Sequence, residues 1–303
     1  MKYIQDIDAF QAEKDSVVTL GKFDGVHRGH RKLIGRVLEE AAALGMEPAV
    51  FTFDVSPQEA LGIRERGLLM TNGERKQFLE NLGIRLLVEC HFSALRDMEA
   101  EAFVREILVG RMRARHFVVG PDFRFGKGRK GNPEFLRELG RSQGFQVEIL
   151  DKELDGGKEI ASSYIREELL NGNIRKVNEL LGYPYFLTGE IIHGRHLGHA
   201  LGFPTINQIP PGEKILPPRG VYASRVYVDG ECYRGVSNLG CKPTVHGDRE
   251  GLETYLFRCS RDLYGKTARV ELLEFLRPER KFSSVEALRE QMESDVKAAE
   301  QSF

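Results

Sequence analysis

No tryptophan occurs in this 303-residue chain, and cysteine is nearly as scarce, with four. Cys90, Cys232, Cys241 and Cys259 are scattered; none forms a Cys-x-x-Cys pair or sits beside a metal-type histidine spacing. This excludes a disulfide-stapled scaffold and predicts reduced, cytoplasmic thiols. No apolar run approaches the roughly 18 residues of a membrane span. The opening MKYIQDIDAF carries acids and no apolar core, so no secretory leader is expected. Neither sign of charge dominates: 44 Lys and Arg face 45 Asp and Glu, for a formal net charge of -1. No global basic bias points to a partner of opposite charge, so no nucleic acid and no membrane are expected as partners. Oligomeric state is not legible in the text.

What the chain does have is length enough for two cores. Its first half alternates strand-like and helix-like segments. Strands are predicted at 16–20, 49–53, 86–88, 116–119 and 146–150, with helices at 30–44, 73–82, 100–112 and 132–144 between them. Such β-α-β text predicts a Rossmann-like, doubly wound parallel sheet, which binds ligands at the carboxyl ends of its strands. Short helices at 162–171 and 174–181 are read as closing that domain. From Phe186 the text turns to short strands at 187–192, 220–228, 231–238, 252–257 and 267–275. Asp229-Gly230 between two of them marks a hairpin. A small antiparallel β-barrel ending in a helix at 284–300 is expected. The domains are accordingly expected at 1–183 and 184–303.

The run Gly21-Lys22-Phe23-Asp24-Gly25-Val26-His27-Arg28-Gly29-His30 falls where the first strand gives way to the first helix. Its glycines permit backbone conformations that side chains block. Free N–H groups and the dipole at a helix start favour phosphate there. His27 and His30, three apart, share one side of the first turn and suit the charge that develops on phosphorus oxygens. Downstream, Arg124, Lys127, Arg129 and Lys130 lie on a glycine-rich stretch able to close over a triphosphate. Ser163 and Arg166 open another helix, a second natural phosphate site, although capping alone explains the serines.

Three segments of this half resemble the FAD synthetase branch of nucleotidyltransferases, in order. They are the His27-Arg28-Gly29-His30 signature, the run from Val119 to Asn132, and Ile160-Ala161-Ser162-Ser163-Tyr164-Ile165-Arg166. Ala161 and Tyr164 depart from the commonest letters. The resemblance implies adenylyl transfer, with His27 and His30 catalytic. It implies nucleotide contacts from Gly21, Phe23, Gly29, Ser163 and Arg166, and flavin contacts from Asp122 and Asn132.

The second informative stretch runs from Gly194 through Arg195 and Gly198 to Phe203-Pro204-Thr205-Ile206-Asn207. Three glycines make a loop able to lie against phosphates. Thr205 and Asn207, two apart on an extended strand, point to one face and offer hard oxygen ligands for Mg²⁺. Together with Gly235-Val236-Ser237-Asn238, Leu252-Glu253-Thr254-Tyr255, Asp262-Leu263-Tyr264-Gly265-Lys266 and Arg277-Pro278-Glu279-Arg280-Lys281-Phe282, the stretch resembles riboflavin kinases. The combined order of motifs resembles the bifunctional bacterial riboflavin kinase/FAD synthetase family. That resemblance implies conversion of riboflavin to FMN and of FMN to FAD, with ATP as co-substrate and Mg²⁺ required in both steps. It places the kinase base at Glu253, nucleotide contacts at Gly194, Arg195 and Gly198, metal contacts at Thr205 and Asn207, and a flavin contact at Arg277. His199, Tyr255 and Cys259-Ser260-Arg261 depart from the family pattern. Two rivals follow: a monofunctional enzyme whose kinase has decayed, and a flavin-binding regulator without turnover.

Overall fold

The computed structural model describes residues 1–55, 67–194, 202–244 and 247–303, with side chains left out of the description at 242–249. Arg195, Gly198 and His199 lie outside the described residues. The chain forms two compact units, Met1–Ser162 and Ser163–Phe303.

The first unit is built on six parallel strands: β1 (Lys2–Ile4), β2 (Ser16–Leu20), β3 (Glu47–Phe53), β4 (Leu86–Cys90), β5 (Ala114–Val119) and β6 (Gln146–Ile149). Their order is β1-β4-β3-β2-β5-β6. Every residue of β2 and β4 is buried, as expected where helices cover both faces of a parallel sheet. The first helix, Arg28–Leu44, begins two residues before the apolar periodicity does, because His27 caps it. It buries Ile34, Val37 and Ala41 and ends at left-handed Gly45. The helix expected at 100–112 is instead a short turn, Ala100–Ala102, that runs into a π-helical stretch, Phe103–Arg111. Periodicity carries no signal for that widening. β1, at three residues, is too short to carry a period in the sequence.

One topological fact positions the site. From β2 the chain steps to β3 on one side, while β5 and β6 lie on the other. The carboxyl ends of β2 and β5 therefore border the crevice of a switch point, where open α/β sheets bind ligands. Segments 21–30 and 120–131 leave those two ends.

In the second unit an antiparallel sheet is ordered β10-β13-β12-β11-β14-β9. The strands are β9 (Tyr185–Glu190), β10 (Thr205–Gln208), β11 (Gly220–Val228), β12 (Glu231–Thr244), β13 (Gly247–Leu256) and β14 (Thr267–Pro278); β7 (Leu154–Asp155) and β8 (Lys158–Glu159) form a separate ribbon in the first unit. The sheet curls until its two edges meet, where Ile192 bridges Asn207 and the Gln208 amide donates to Gly189 and Ala268 carbonyls. The expected small barrel is therefore present. The helix Ile174–Leu181 packs on β9 and β14, with Asn178 accepting from the Tyr185 N–H and donating to the Leu272 carbonyl. The compact units consequently divide upstream of residue 183. The closing helix, Val285–Glu300, is capped by Ser284.

Candidate functional sites

In the first unit the turn after β2 is held in a backbone shape that side chains resist. Phe23 (φ 51°) and Val26 (φ 35°) are left-handed as well as Gly25 (φ 79°), and both apolar side chains are fully buried. Non-glycine residues keep such angles only where the surroundings enforce them. Here Asp24, 1% exposed, accepts from the N–H groups of Leu69 (3.0 Å) and Met70 (3.1 Å). Its own carbonyl accepts from the Ser162 hydroxyl at 2.9 Å. The Phe23 ring folds back over Gly21, where an added Cβ would sit 3.3 Å from it.

That shape delivers the two histidines. His27 caps the helix, its Nδ1 accepting from the His30 N–H at 3.4 Å. The rings stack with centroids 3.6 Å apart, and Phe23 meets His30 edge-on at 5.1 Å. A side chain at 29 would press on the His27 ring at 3.3 Å, which accounts for Gly29. Burial lowers His27 to about 4 from an ordinary 6.5. Burial, the His27 ring and the charge of Arg75 hold His30 well below the histidine range. Both rings are thus neutral near pH 7. With Nδ1 accepting, His27 carries its proton on Nε2, where it can donate to a phosphate oxygen.

The loop after β5 is cross-bonded and closely packed at its glycines. Phe125 and Gly131 exchange backbone hydrogen bonds at 3.1 and 2.9 Å, and Gly126, Gly128 and Arg129 are left-handed. A Cβ at Gly126 would overlap Ala100, and one at Gly131 would overlap the Phe125 ring. Lys127 and Lys130 both approach Glu99. Asn132 uses its side-chain oxygen to cap the helix Pro133–Gln143, at 2.8 Å from the Phe135 N–H. Asp122 is exposed and pairs with Lys152 at 2.8 Å. Ser163 and Arg166 stand on the helix Ser162–Leu170.

The second unit gathers several expected residues on one row. Asn207 of β10 pairs in register with Glu253 of β13, which pairs with Asn238 of β12. Asn238 pairs with Val221 of β11, and Val221 with Arg277 of β14. Directly opposed residues share a face, so Asn207, Glu253, Asn238 and Arg277 line one side of the sheet. Thr205 pairs with Tyr255 two residues along the same face. The other face is closed by a buried hydroxyl chain: Ser237 bonds Ser224 at 2.8 Å and Thr254 at 2.7 Å.

Thr205 and Asn207 also line a cavity of about 480 Å³, together with Cys259, Arg261, Asp262 and Tyr264. Gly194 lies against the Asn207 amide so closely that a Cβ would overlap it. A hydroxyl and an amide oxygen at a cavity wall suit Mg²⁺, which takes few protein ligands and keeps water and phosphate oxygens. Among the described residues no group of three His, Cys, Asp or Glu could hold a metal. Arg277 is clamped by Asp295 of the last helix through two bonds of 2.8 and 2.7 Å. Asp295 carries no signal in the sequence, and Asp24 and Asn238 stand in motifs there without a role. Strand register and helix packing supply their partners.

Comparison with known proteins adds the following. The FAD synthetase family profile matches residues 9–164, and the riboflavin kinase profile residues 181–303. A bifunctional riboflavin kinase/FMN adenylyltransferase of Escherichia coli K12 is 34% identical over 308 residues, covering 100% of this chain and 98% of the relative. The same-named protein of Bacillus subtilis 168 is 37% identical over 296 residues, covering 95% and 93%. The crystal structure of a macrolide-efflux protein from Streptococcus pneumoniae superimposes with a TM-score of 0.89 at 29% identity, covering 98% of each chain. Among the described residues of the present chain, no helix is long and apolar enough to cross a membrane.

Proposed function

This chain belongs to the family of bifunctional riboflavin kinase/FMN adenylyltransferases, and we infer that it makes FAD from riboflavin in two ATP-dependent steps, each assigned to its own residues. We place the junction between the two activities at 183/184, the transferase before it and the kinase after it. The scattered cysteines favour the cytoplasm.

In the kinase step the ribityl 5′-hydroxyl of riboflavin attacks the γ-phosphorus of ATP. Glu253 accepts the hydroxyl proton, and ADP leaves as FMN forms. Thr205 and Asn207 would hold Mg²⁺ against the triphosphate, and Gly194 keeps that wall thin. When bound, the ion neutralises charge on phosphate oxygens. Arg277 orients the flavin at the far end of the Glu253 row.

In the transferase step a phosphate oxygen of FMN attacks the α-phosphorus of ATP, and pyrophosphate leaves. A phosphate monoester is already nucleophilic, so no protein base is required. Neutral His27 and His30 donate to the oxygens that gain charge, at a helix start that favours anions. Gly21, Phe23 and Gly29 shape that wall, Ser163 and Arg166 contact the nucleotide, and Asp122 and Asn132 contact the flavin. Arg195 and Gly198, outside the described residues, are assigned to the kinase nucleotide.

The observation that carries this reading is the register that sets Glu253 of β13 opposite Asn207, which with Thr205 lines the cavity: a binding protein without turnover has no use for a base one strand from a metal-type oxygen pair. A timed product assay with riboflavin and Mg-ATP tests it. FMN should appear first and FAD after it. Conversion of added FMN to FAD with riboflavin left untouched would favour a decayed kinase, and flavin binding without ATP consumption a regulator.

A further inference from the structure

Arg75 sits on the helix Asn72–Leu82, next to a capping box formed by Thr71 and Glu74, and is 2% exposed. A buried guanidinium is costly unless its donors find partners, and here both terminal nitrogens do while Nε has none among the described residues. Its Nη1 donates to the Lys22 carbonyl at 2.9 Å, and its Nη2 donates to the Phe53 carbonyl at 3.2 Å. Nη2 also pairs with Glu89, 3% exposed, whose other oxygen takes the Tyr3 hydroxyl. Lys22 follows β2, Phe53 ends β3 and Glu89 belongs to β4. One side chain thus ties the carboxyl ends of three strands together behind the signature turn. Because the peptide is trans and planar, a Lys22 carbonyl turned onto Arg75 sends the Phe23 N–H to the opposite side.

We propose that Arg75 is a positioning residue for adenylyl transfer, fixing the Lys22 peptide and with it the turn that carries His27 and His30. The proposal rests on the assignment of that step to the two histidines. Arg75 has a second, electrostatic consequence, since its charge disfavours a proton on His30. Among the described residues, the charges that act on His30 are those of His27 in its own turn and Arg75 from the helix Asn72–Leu82, and Arg28 and Arg31 flank it in the same helical turn. Behind Arg75 stand Glu89 of β4 and Tyr3 of β1, and Asp24 of the turn faces Leu69 and Met70.

The test uses the full chain. Arg75→Lys keeps the charge and loses the fork that reaches two carbonyls and a carboxylate. Arg75→Gln removes the charge. Arg75→Gln/Glu89→Gln removes both charges and serves if a lone buried Glu89 prevents folding. FMN-to-FAD conversion should fall about tenfold or more in all three, the scale expected of a misplaced site. Riboflavin phosphorylation should stay at the parent rate as the internal control. The His30 imidazole, followed by NMR titration, should gain its proton at higher pH in Arg75→Gln and near the parent position in Arg75→Lys.

FAD formation within about twofold of the parent in the folded variants would overturn the proposal. So would equal loss of both activities, or a His30 titration that ignores the charge. His27→Ala/His30→Ala with undiminished FAD formation would instead overturn the transferase assignment, while the NMR shift would still report on Arg75.

Discussion

Asn207 and Glu253 face each other in register across β10 and β13, and Asn207 lines the cavity together with Thr205. A carboxylate there is one strand away from the oxygens proposed for Mg²⁺. Glu253→Gln keeps the shape and removes the basic oxygen. Riboflavin phosphorylation is expected to fall by about 10²–10⁴-fold, the usual contribution of a positioned base. FMN adenylylation should continue at the parent rate. Chromatography of flavins over time, with riboflavin and then FMN as the starting material, reads both arms.

Much of this arrangement was legible in the text, and the gaps have physical causes. The β-α-β alternation and the second unit's strands are written in residue periodicity, so the parallel sheet and the curled antiparallel sheet were both expected. Thr205 and Asn207 share a face by spacing alone. Glu253 came from the family resemblance, but its place opposite Asn207 depends on register between strands some 46 residues apart along the chain, 253 against 207. Arg75 was invisible for a similar reason. Its partners, Lys22, Phe53 and Glu89, are scattered through the chain, and two of its bonds go to backbone carbonyls that no side-chain pattern encodes. The π-helical stretch Phe103–Arg111 buries Phe103, Val104, Ile107 and Leu108 at spacings that an ordinary helix also allows.

Thr205 and Asn207 give the metal reading its own test. Thr205→Ala and Asn207→Ala each remove one hard oxygen from the cavity wall. The Mg²⁺ concentration for half-maximal riboflavin phosphorylation should rise about tenfold, the factor that a loss of about 1.4 kcal/mol represents. The Mg²⁺ dependence of FAD formation from FMN should not move. An unchanged kinase midpoint in both variants would remove these two residues from the metal site.

The strained turn makes a stability prediction. Asp24→Ala deletes the acceptor of the Leu69 and Met70 N–H groups in a site 1% exposed. An unsatisfied buried donor costs about 1–3 kcal/mol, so the first unit should lose at least about 2 kcal/mol in urea unfolding. Phe23 and Val26 are no longer held left-handed, and adenylyl transfer should drop with the stability. Asp24→Asn retains an acceptor oxygen and should recover most of both.

Acid should weaken the same unit through His27. Its folded value of about 4 lies below the ordinary 6.5, so between those values the unfolded chain binds the proton and the folded chain does not. Stability from this group is therefore complete above about pH 6.5 and is lost as pH falls toward 4. The difference corresponds to about 3 kcal/mol. His27→Gln cannot take the proton, so unfolding free energies measured between pH 7 and 4 should fall less steeply in the variant. Parallel curves for parent and variant would show that His27 is not held neutral.

The clamp between Arg277 and Asp295 joins the proposed flavin end of the Glu253 row to the closing helix. Asp295 is 5% exposed, is held by two guanidinium bonds and also accepts from the Gln291 amide at 2.7 Å. Asp295→Ala leaves a largely buried guanidinium without its carboxylate, which should cost roughly 3 kcal/mol. The freed Arg277 no longer has one orientation, so the KM for riboflavin should rise more than the KM for ATP in the kinase step. Asp295→Asn keeps one acceptor oxygen and should fall between the two. A kinase with both constants unchanged in a folded Asp295→Ala protein would mean that Arg277 does not orient the flavin and serves the helix alone.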